Sequence, residues 1–304
     1  MSIYLPIAEM PVNVLVILMM SAAVGFLSGM VGVGGGFIMT PLLFLVGVPP
    51  AVAVATEASQ ITASSVSGAL AHWRRRSVDL RMAALLSIGG VIGSVFGVQL
   101  FAYLRRLGQV DVLIALFYVF FLGLIGGLMV VESFAALRRR RLGRTPPRRK
   151  RQRTLAHILP LRMRFPRSGL YISIIPPLVI GALVGVLSAV MGVGGGFIIV
   201  PAMIYMLRMP TNVVIGTSLL QIVFVTALVT VLQSVQTKTV DLMLAALLIA
   251  GGVVGAQWGA RAGVRMQGET LRAVLGVIVL GTALKILWDL IATPGELFVL
   301  AAQR

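Results

Sequence analysis

A stretch of 17 residues occurs twice in this chain, and both copies interrupt an apolar segment with glycine. Residues 25–41 read GFLSGMVGVGGGFIMTP, and at an offset of 160 residues 185–201 read GVLSAVMGVGGGFIIVP. Eleven of the 17 aligned positions are identical, among them Ser28 with Ser188, the whole of 32–38 against 192–198, and Pro41 with Pro201. Glycine releases the backbone from helical geometry, so peptide N–H groups can turn towards one point and a ligand can come close. A helix restarting at Phe37 or Phe197 adds unpaired first-turn N–H groups and its positive dipole end. The chain is therefore expected to carry two backbone anion cradles in corresponding places.

Composition says where those cradles sit. Of 304 residues, 58% are hydrophobic and only 12% charged, and the mean hydropathy is +1.01. Soluble domains carry about a quarter charged residues, so the expectation is a polytopic membrane protein. No cleavable signal peptide is evident, since Glu9 is the first charge and no basic region precedes the apolar run. The chain has no cysteine, which excludes disulfides, thiolate metal sites and a thiol relay. Two histidines leave little for metal or acid–base chemistry, and no nucleophile–base pattern occurs, so neither an enzyme, a metal site nor a cofactor is expected.

Apolar segments of about 20 residues cross a hydrocarbon core of about 30 Å. The first half offers 12–31, a short piece 36–48, then 51–71, 80–102 and 112–131. The second offers 169–191, a short piece 196–207, then 213–233, 242–260 and 271–291. Five segments thus recur in order, giving a first transmembrane repeat over 12–131, a basic linker over 132–168 and a second repeat over 169–291. The correspondence continues past the glycines: Thr56 and Gln60 align with Thr217 and Gln221, and Val78-Asp79-Leu80 with Val240-Asp241-Leu242. Gly89, Gly93 and Gly97 match Gly251, Gly255 and Gly259, two ladders suited to close helix packing in lipid.

Net charge is +17, yet residues 138–168 hold 13 of the 26 Lys and Arg and no acid. This reads as a cytoplasmic loop obeying the positive-inside rule and touching anionic lipid. Aromatic interleaving is missing beyond Phe165, which argues against nucleic acid. With that loop inside, Arg74, Arg75, Arg76 and Arg81 also fall inside, as do Arg261, Arg265 and Arg272, while Arg105, Arg106 and Lys238 fall outside. Each repeat then crosses an odd number of times. The expected fold is an all-α polytopic membrane protein of two inverted-topology repeats, each of about five helical segments with a Gly-rich helix break. Both termini would be periplasmic. The short segments would form broken helices or hairpins with glycine at their tips near the midplane.

The paired G-x-G-G-G-F-I tracts followed by Pro41 and Pro201, the two repeats and the basic central loop resemble the sulfite exporter TauE/SafE family, within the toluene sulfonate uptake permease superfamily. The resemblance covers nearly the whole chain except 138–168 and the ends. It implies carriage of small sulfur oxyanions or organosulfonates, such as sulfite, sulfoacetate or isethionate, across the bacterial cytoplasmic membrane.

Candidate ligand positions follow from the repetition. Gly32, Gly34, Gly35 and Gly36, with Gly192, Gly194, Gly195 and Gly196, are either a backbone anion site or a tight break needed for packing. A dinucleotide fingerprint is disfavoured, because the spacing is wrong and no strand precedes the tract. Thr56 with Gln60, and Thr217 with Gln221, share helical faces and are either neutral ligands for a sulfonate or interhelical hydrogen-bonding groups. Ser28 and Ser188 are weaker candidates, since serine also bonds its own helix. Glu57 is an intramembrane acid and a candidate for proton coupling, although Ser218 stands at its counterpart. His72 and Trp73 suit an interfacial anchor.

The function expected is secondary transport of a small sulfur-containing anion by alternating access around a central Gly-rich site. An anion channel of the same architecture, or a membrane scaffold acting through the linker, are the alternatives. Direction, coupling ion and oligomeric state are left open.

Overall fold

The structure, a computed structural model, describes residues 2–31, 34–107, 110–141, 160–263 and 268–291. The glycine breaks divide the first half into α1 (Val14–Val31), α2 (Gly36–Leu45), α3 (Pro50–Arg74), α4 (Leu80–Arg106) and α5 (Val110–Arg141). The second half holds α6 (Ile175–Met191), α7 (Gly196–Tyr205), α8 (Thr211–Gln236), α9 (Leu242–Gly263) and α10 (Gly268–Ile291). Among the described residues, α4, α8 and α9 are each long and apolar enough to cross a membrane. The chain is an all-helical membrane protein in its main body. Most of the basic linker, 142–159, and the tract residue Gly32 lie outside the described residues.

Two short hairpins depart from the all-α expectation. Strands β1 (Ser2–Leu5) and β2 (Met10–Asn13) pair antiparallel ahead of α1, and β3 (Arg162–Phe165) and β4 (Leu170–Ser173) pair antiparallel ahead of α6. Register repeats too: Ser2 faces Asn13 as Arg162 faces Ser173. Both turns contain proline, Pro6 and Pro166, and both end on a left-handed residue, Glu9 at φ 53° and Gly169 at φ 64°. Leu5 and Val12 in one hairpin, and Phe165 and Ile172 in the other, are apolar side chains sealed from solvent. Each unit therefore begins ahead of its first apolar helix, and the second hairpin runs across the expected boundary at 168/169.

The two halves interlock by exchange. α1 packs along α9 of the other half, α6 packs along α4, α5 lies on α10 and α3 crosses α8. The glycine ladders make the first two contacts possible. A methyl at Gly89, Gly93 or Gly97 would meet the backbone carbonyls of Leu178, Ala182 and Val186 on α6. At Gly251, Gly255 or Gly259 it would meet those of Leu18, Ala22 and Phe26 on α1. Only a residue without a side chain lets helices approach this closely, which in lipid is what holds them together.

Two aspartates tie each hairpin to the opposite half. Asp79 caps α4, its Oδ1 accepting from the Met82 N–H at 3.3 Å, while Oδ2 accepts from the N–H and hydroxyl of Ser168 at 3.0 and 2.7 Å. Asp241 caps α9 through the Met243 and Leu244 N–H groups at 3.0 and 3.1 Å, and its Oδ2 accepts from Ile7 and Ala8 N–H at 2.9 and 3.4 Å. Both carboxylates are buried. At the far end of α4 the Arg105 guanidinium donates to the carbonyl of Thr237, which follows α8.

Candidate functional site

Broken helices place the two glycine tracts against each other. Gly34 and Gly35 adopt φ 91° and 79°, and Gly192, Gly194 and Gly195 adopt 68°, 68° and 71°. These left-handed values favour glycine and end one helix so that another begins at Gly36 or Gly196. Residues 34–36 and 192–196 are all buried. A Cβ on Gly36 would lie 3.1 Å from the carbonyl oxygen of Gly192, so the first tract abuts the second. Phe37 and Phe197, one position into α2 and α7, stack with ring centroids 5.9 Å apart.

Two isoleucines fill the space facing both tracts. Ile61 of α3 touches Gly34, Gly36 and Gly194, and Ile222 of α8 touches Gly34 and Gly194. Each follows a glutamine, Gln60-Ile61 and Gln221-Ile222. The Gln60 amide lies against Gly252 of α9, and the Gln221 amide against Gly90 of α4, where a Cβ would stand 2.9 Å from Nε2. Gly35 touches Ser28. Thus the first tract has Ser28 against it, and each glutamine reaches a glycine on a helix of the other half, Gln60 to Gly252 and Gln221 to Gly90.

What distinguishes the glutamines is that both are fully buried and no protein group pairs with either the oxygen or the nitrogen of their amides. The same holds for the Ser188 hydroxyl, the Thr40 hydroxyl and both oxygens of Glu57. An unsatisfied buried polar group costs about 1–3 kcal/mol, and native proteins rarely tolerate several in one region without a ligand or water to serve. Ser28 is buried beside Gly35.

Thr56 and Thr217 are engaged elsewhere. The Thr56 hydroxyl accepts from the Asp241 N–H at 3.0 Å, and that of Thr217 accepts from the Asp79 N–H at 3.1 Å while donating to the Val213 carbonyl. Gln60 and Gln221, on the same helical faces, have no such partners. The threonines belong to the aspartate clasps.

The sequence profile of the Sulfite exporter TauE/SafE family matches residues 17–286, which spans both tracts, both glutamines and both clasping aspartates. The chain belongs to the sulfite exporter TauE/SafE family. Relatives of this TauE/SafE protein include a "Probable membrane transporter protein" of Xylella fastidiosa (strain 9a5c), 32% identical over 269 residues, covering 87% of this chain and 91% of the relative. Another is the "Probable membrane transporter protein YjnA" of Bacillus subtilis (strain 168), 26% identical over 276 residues, covering 89% and 98%. No solved structure matches. This TauE/SafE protein is a membrane transporter and not an enzyme.

Several residues that shape the transporter's centre escape sequence reasoning. Ile61 and Ile222 were legible only as the second half of a repeated Gln-Ile pair. Asp79 and Asp241 stand in a repeated Val-Asp-Leu, but nothing in that triplet says whose hairpin the carboxylate holds. Tyr118, without a polar counterpart in α10, donates its hydroxyl to the Met191 carbonyl at the end of α6. Gln233 donates to the Ala189 carbonyl at 3.0 Å. These bonds serve carbonyls freed where α6 stops short of the glycine tract.

Proposed function

We propose that this TauE/SafE protein carries a small sulfur-containing monoanion, sulfite or an organosulfonate such as sulfoacetate or isethionate, by alternating access between two inverted repeats in the bacterial cytoplasmic membrane. The observation that carries this reading is the pair of buried, partnerless amides at Gln60 and Gln221, each next in sequence to the isoleucine that faces two abutting glycine tracts. Amide N–H groups and first-turn helix N–H groups supply neutral donors to an oxyanion. Such donors replace hydration without a full opposing charge, so the anion can leave again. Ser28 and Ser188 complete the set, with Gly34–36 and Gly192, Gly194, Gly195 and Gly196 as the backbone wall; Gly32 is retained as a candidate from sequence. Sulfate, a dianion, would need more compensation than neutral donors give.

The inverted relation is supported by which ends meet. α3 starts near Asp241 and the first hairpin and ends at the arginines beside Asp79, whereas α8 starts near Asp79 and ends beside Asp241. Corresponding helices then run opposite ways, and the clasps sit at the two faces. Ile61 and Ile222 occupy the approach to both tracts, so loading requires α3 and α8 to part, a carrier's motion more than a channel's open path. Glu57 stands beside this pair as the candidate for proton coupling.

The test is a thermal-shift titration of the purified protein with sulfite, sulfoacetate, isethionate, thiosulfate, sulfate and acetate. A ligand at a hundred times its Kd stabilises by about 2.7 kcal/mol. Selective stabilisation by a sulfonate or sulfite, lost in Gln60→Ala with Gln221→Ala, is expected. Equal response to acetate and sulfate would sink the sulfur assignment, and absence of counterflow in vesicles would favour a channel.

A further inference from the structure

The two ends of the molecule are built alike around their aspartate clasps, but only the Asp79 corner has a cavity lined by several arginines among the described residues. A cavity of about 550 Å3 beside Asp79 is lined by Arg74 at the end of α3, Arg76 of the α3–α4 connection, Arg81 of α4 and Arg167 of the second hairpin turn. Its acid, Asp79, has its oxygens committed to Met82 and Ser168. At the other end the corresponding positions are Lys238 for Arg76, Met243 for Arg81 and Ile7 for Arg167. The correspondence is structural as well, since Arg76 and Lys238 both hold left-handed backbone, φ 54° and 51°. Arg81 also ties the hairpin, its Nη1 donating to the Arg164 carbonyl at 3.1 Å, but a fold that builds this corner once with Lys238 and Ile7 does not need Arg76 and Arg167 for it.

The arginine cavity also does not stop at the surface. Trp73 and Leu80 on its wall are shared with a groove of about 670 Å3 that continues along α4 and α8 past Ala84, Ile88, Ile92 and Phe224. The groove is almost wholly apolar, and Trp73, Leu80, Ile88, Ile92 and Phe224 are about half exposed. Ser87 also lines it, with its hydroxyl oxygen buried and without a protein partner. By helical rise it stands about 9 Å beyond Arg81 along α4.

We propose that this composite corner is a binding site for one anionic phospholipid. Its phosphate would lie among Arg74, Arg76, Arg81 and Arg167, and an acyl chain would follow the groove. Trp73, at the junction, is the interfacial aromatic that such a seat calls for. Both chemistries in one continuous depression select a lipid over a soluble anion, which would use the arginines and leave the groove idle. The site is independent of which anion the transporter carries, and none of its residues belongs to the arginine run at 138–151.

The test uses the full chain in vesicles, with Trp258→Phe and Trp288→Phe leaving Trp73 as its one tryptophan. Brominated-chain phosphatidylglycerol and brominated-chain phosphatidylcholine then compete to quench it. Preference for phosphatidylglycerol is expected, falling about fivefold for each arginine removed in Arg74→Gln and Arg167→Gln. Both are exposed, so folding should survive, and unchanged melting in detergent checks this. Ala84→Phe, which fills the groove and keeps every charge, should also lower the preference. The proposal is overturned if the two lipids quench equally in the parent, if the arginine changes leave the ratio alone, or if Ala84→Phe does not affect it, the last pointing to diffuse surface charge. Displacement of brominated phosphatidylglycerol by millimolar glycerol phosphate would equally overturn it, in favour of a soluble anion.

Discussion

The corner around Asp79 and the corner around Asp241 share a hairpin, a capping carboxylate and a threonine hydroxyl bonded to the aspartate's own N–H, and differ in almost everything charged. What recurs is the hardware that joins the halves. What does not recur, the four arginines in one corner and Glu57 against Ser218 in the core, is free to encode orientation, lipid or coupling. Internal duplication thus acts as a control experiment within one chain, separating what the fold demands from what one side of the molecule does.

The ladders give the hardest test of that equivalence. Gly93→Val would drive a side chain into the Ala182 carbonyl and Gly255→Val into that of Ala22. Each should cost about 3 kcal/mol or more, seen as loss of a monodisperse, cooperatively melting protein. If only one collapses the protein, α1 on α9 and α6 on α4 are not energetic equals. Next come the clasps. Asp79→Ala and Asp241→Ala each leave a helix cap and a buried hairpin turn without an acceptor, about 2–4 kcal/mol, and thermal unfolding should show similar losses. A markedly smaller effect at Asp241 would make the hairpins unequal in spite of their shared register.

The glutamines should behave in the opposite sense. Replacing both partnerless amides, in Gln60→Leu with Gln221→Leu, should leave melting unchanged or raise it by up to about 2 kcal/mol of stability, while abolishing transport and ligand-induced shifts. A destabilised double variant would place the amides in the structural hardware with the threonines. The smallest stability effect belongs to Glu57→Gln, which should retain the ligand-induced thermal shift but uncouple uptake in vesicles from an imposed pH gradient. Coupling that persists in this variant would remove Glu57 from the mechanism.

Much of the architecture was legible because membranes impose long apolar segments and because the chain repeats itself. The glycine breaks, the ladders and the order of five segments all stand in the sequence. The hairpins were not legible: four-residue strands carry two inward side chains each, too short a pattern to separate from a helix approach, and only Pro6 and Pro166 mark the turns. The task of Thr56 was hidden for another reason. Its partner, the N–H of Asp241, lies 185 residues away in the other half, and local spacing grouped it with Gln60 instead. For Gln60 and Gln221 the type and repetition were visible, but their lack of partners is a fact of three-dimensional packing alone. Corner charge was read as topology, whereas its union with an apolar groove depends on how α8 comes to lie beside α4.

The Asp241 clasp also has a clock. Ile7 and Ala8 leave the ribosome 234 and 233 residues ahead of the carboxylate that accepts their N–H groups. At roughly 5–20 residues per second, that interval is about 10–50 s. During it the leading hairpin and α1, whose partner α9 is also still unmade, must be kept in the membrane without their final neighbours. Biogenesis of the first half is therefore provisional until the second arrives, and a chain halted before α9 would have an amino-terminal end with nowhere to dock.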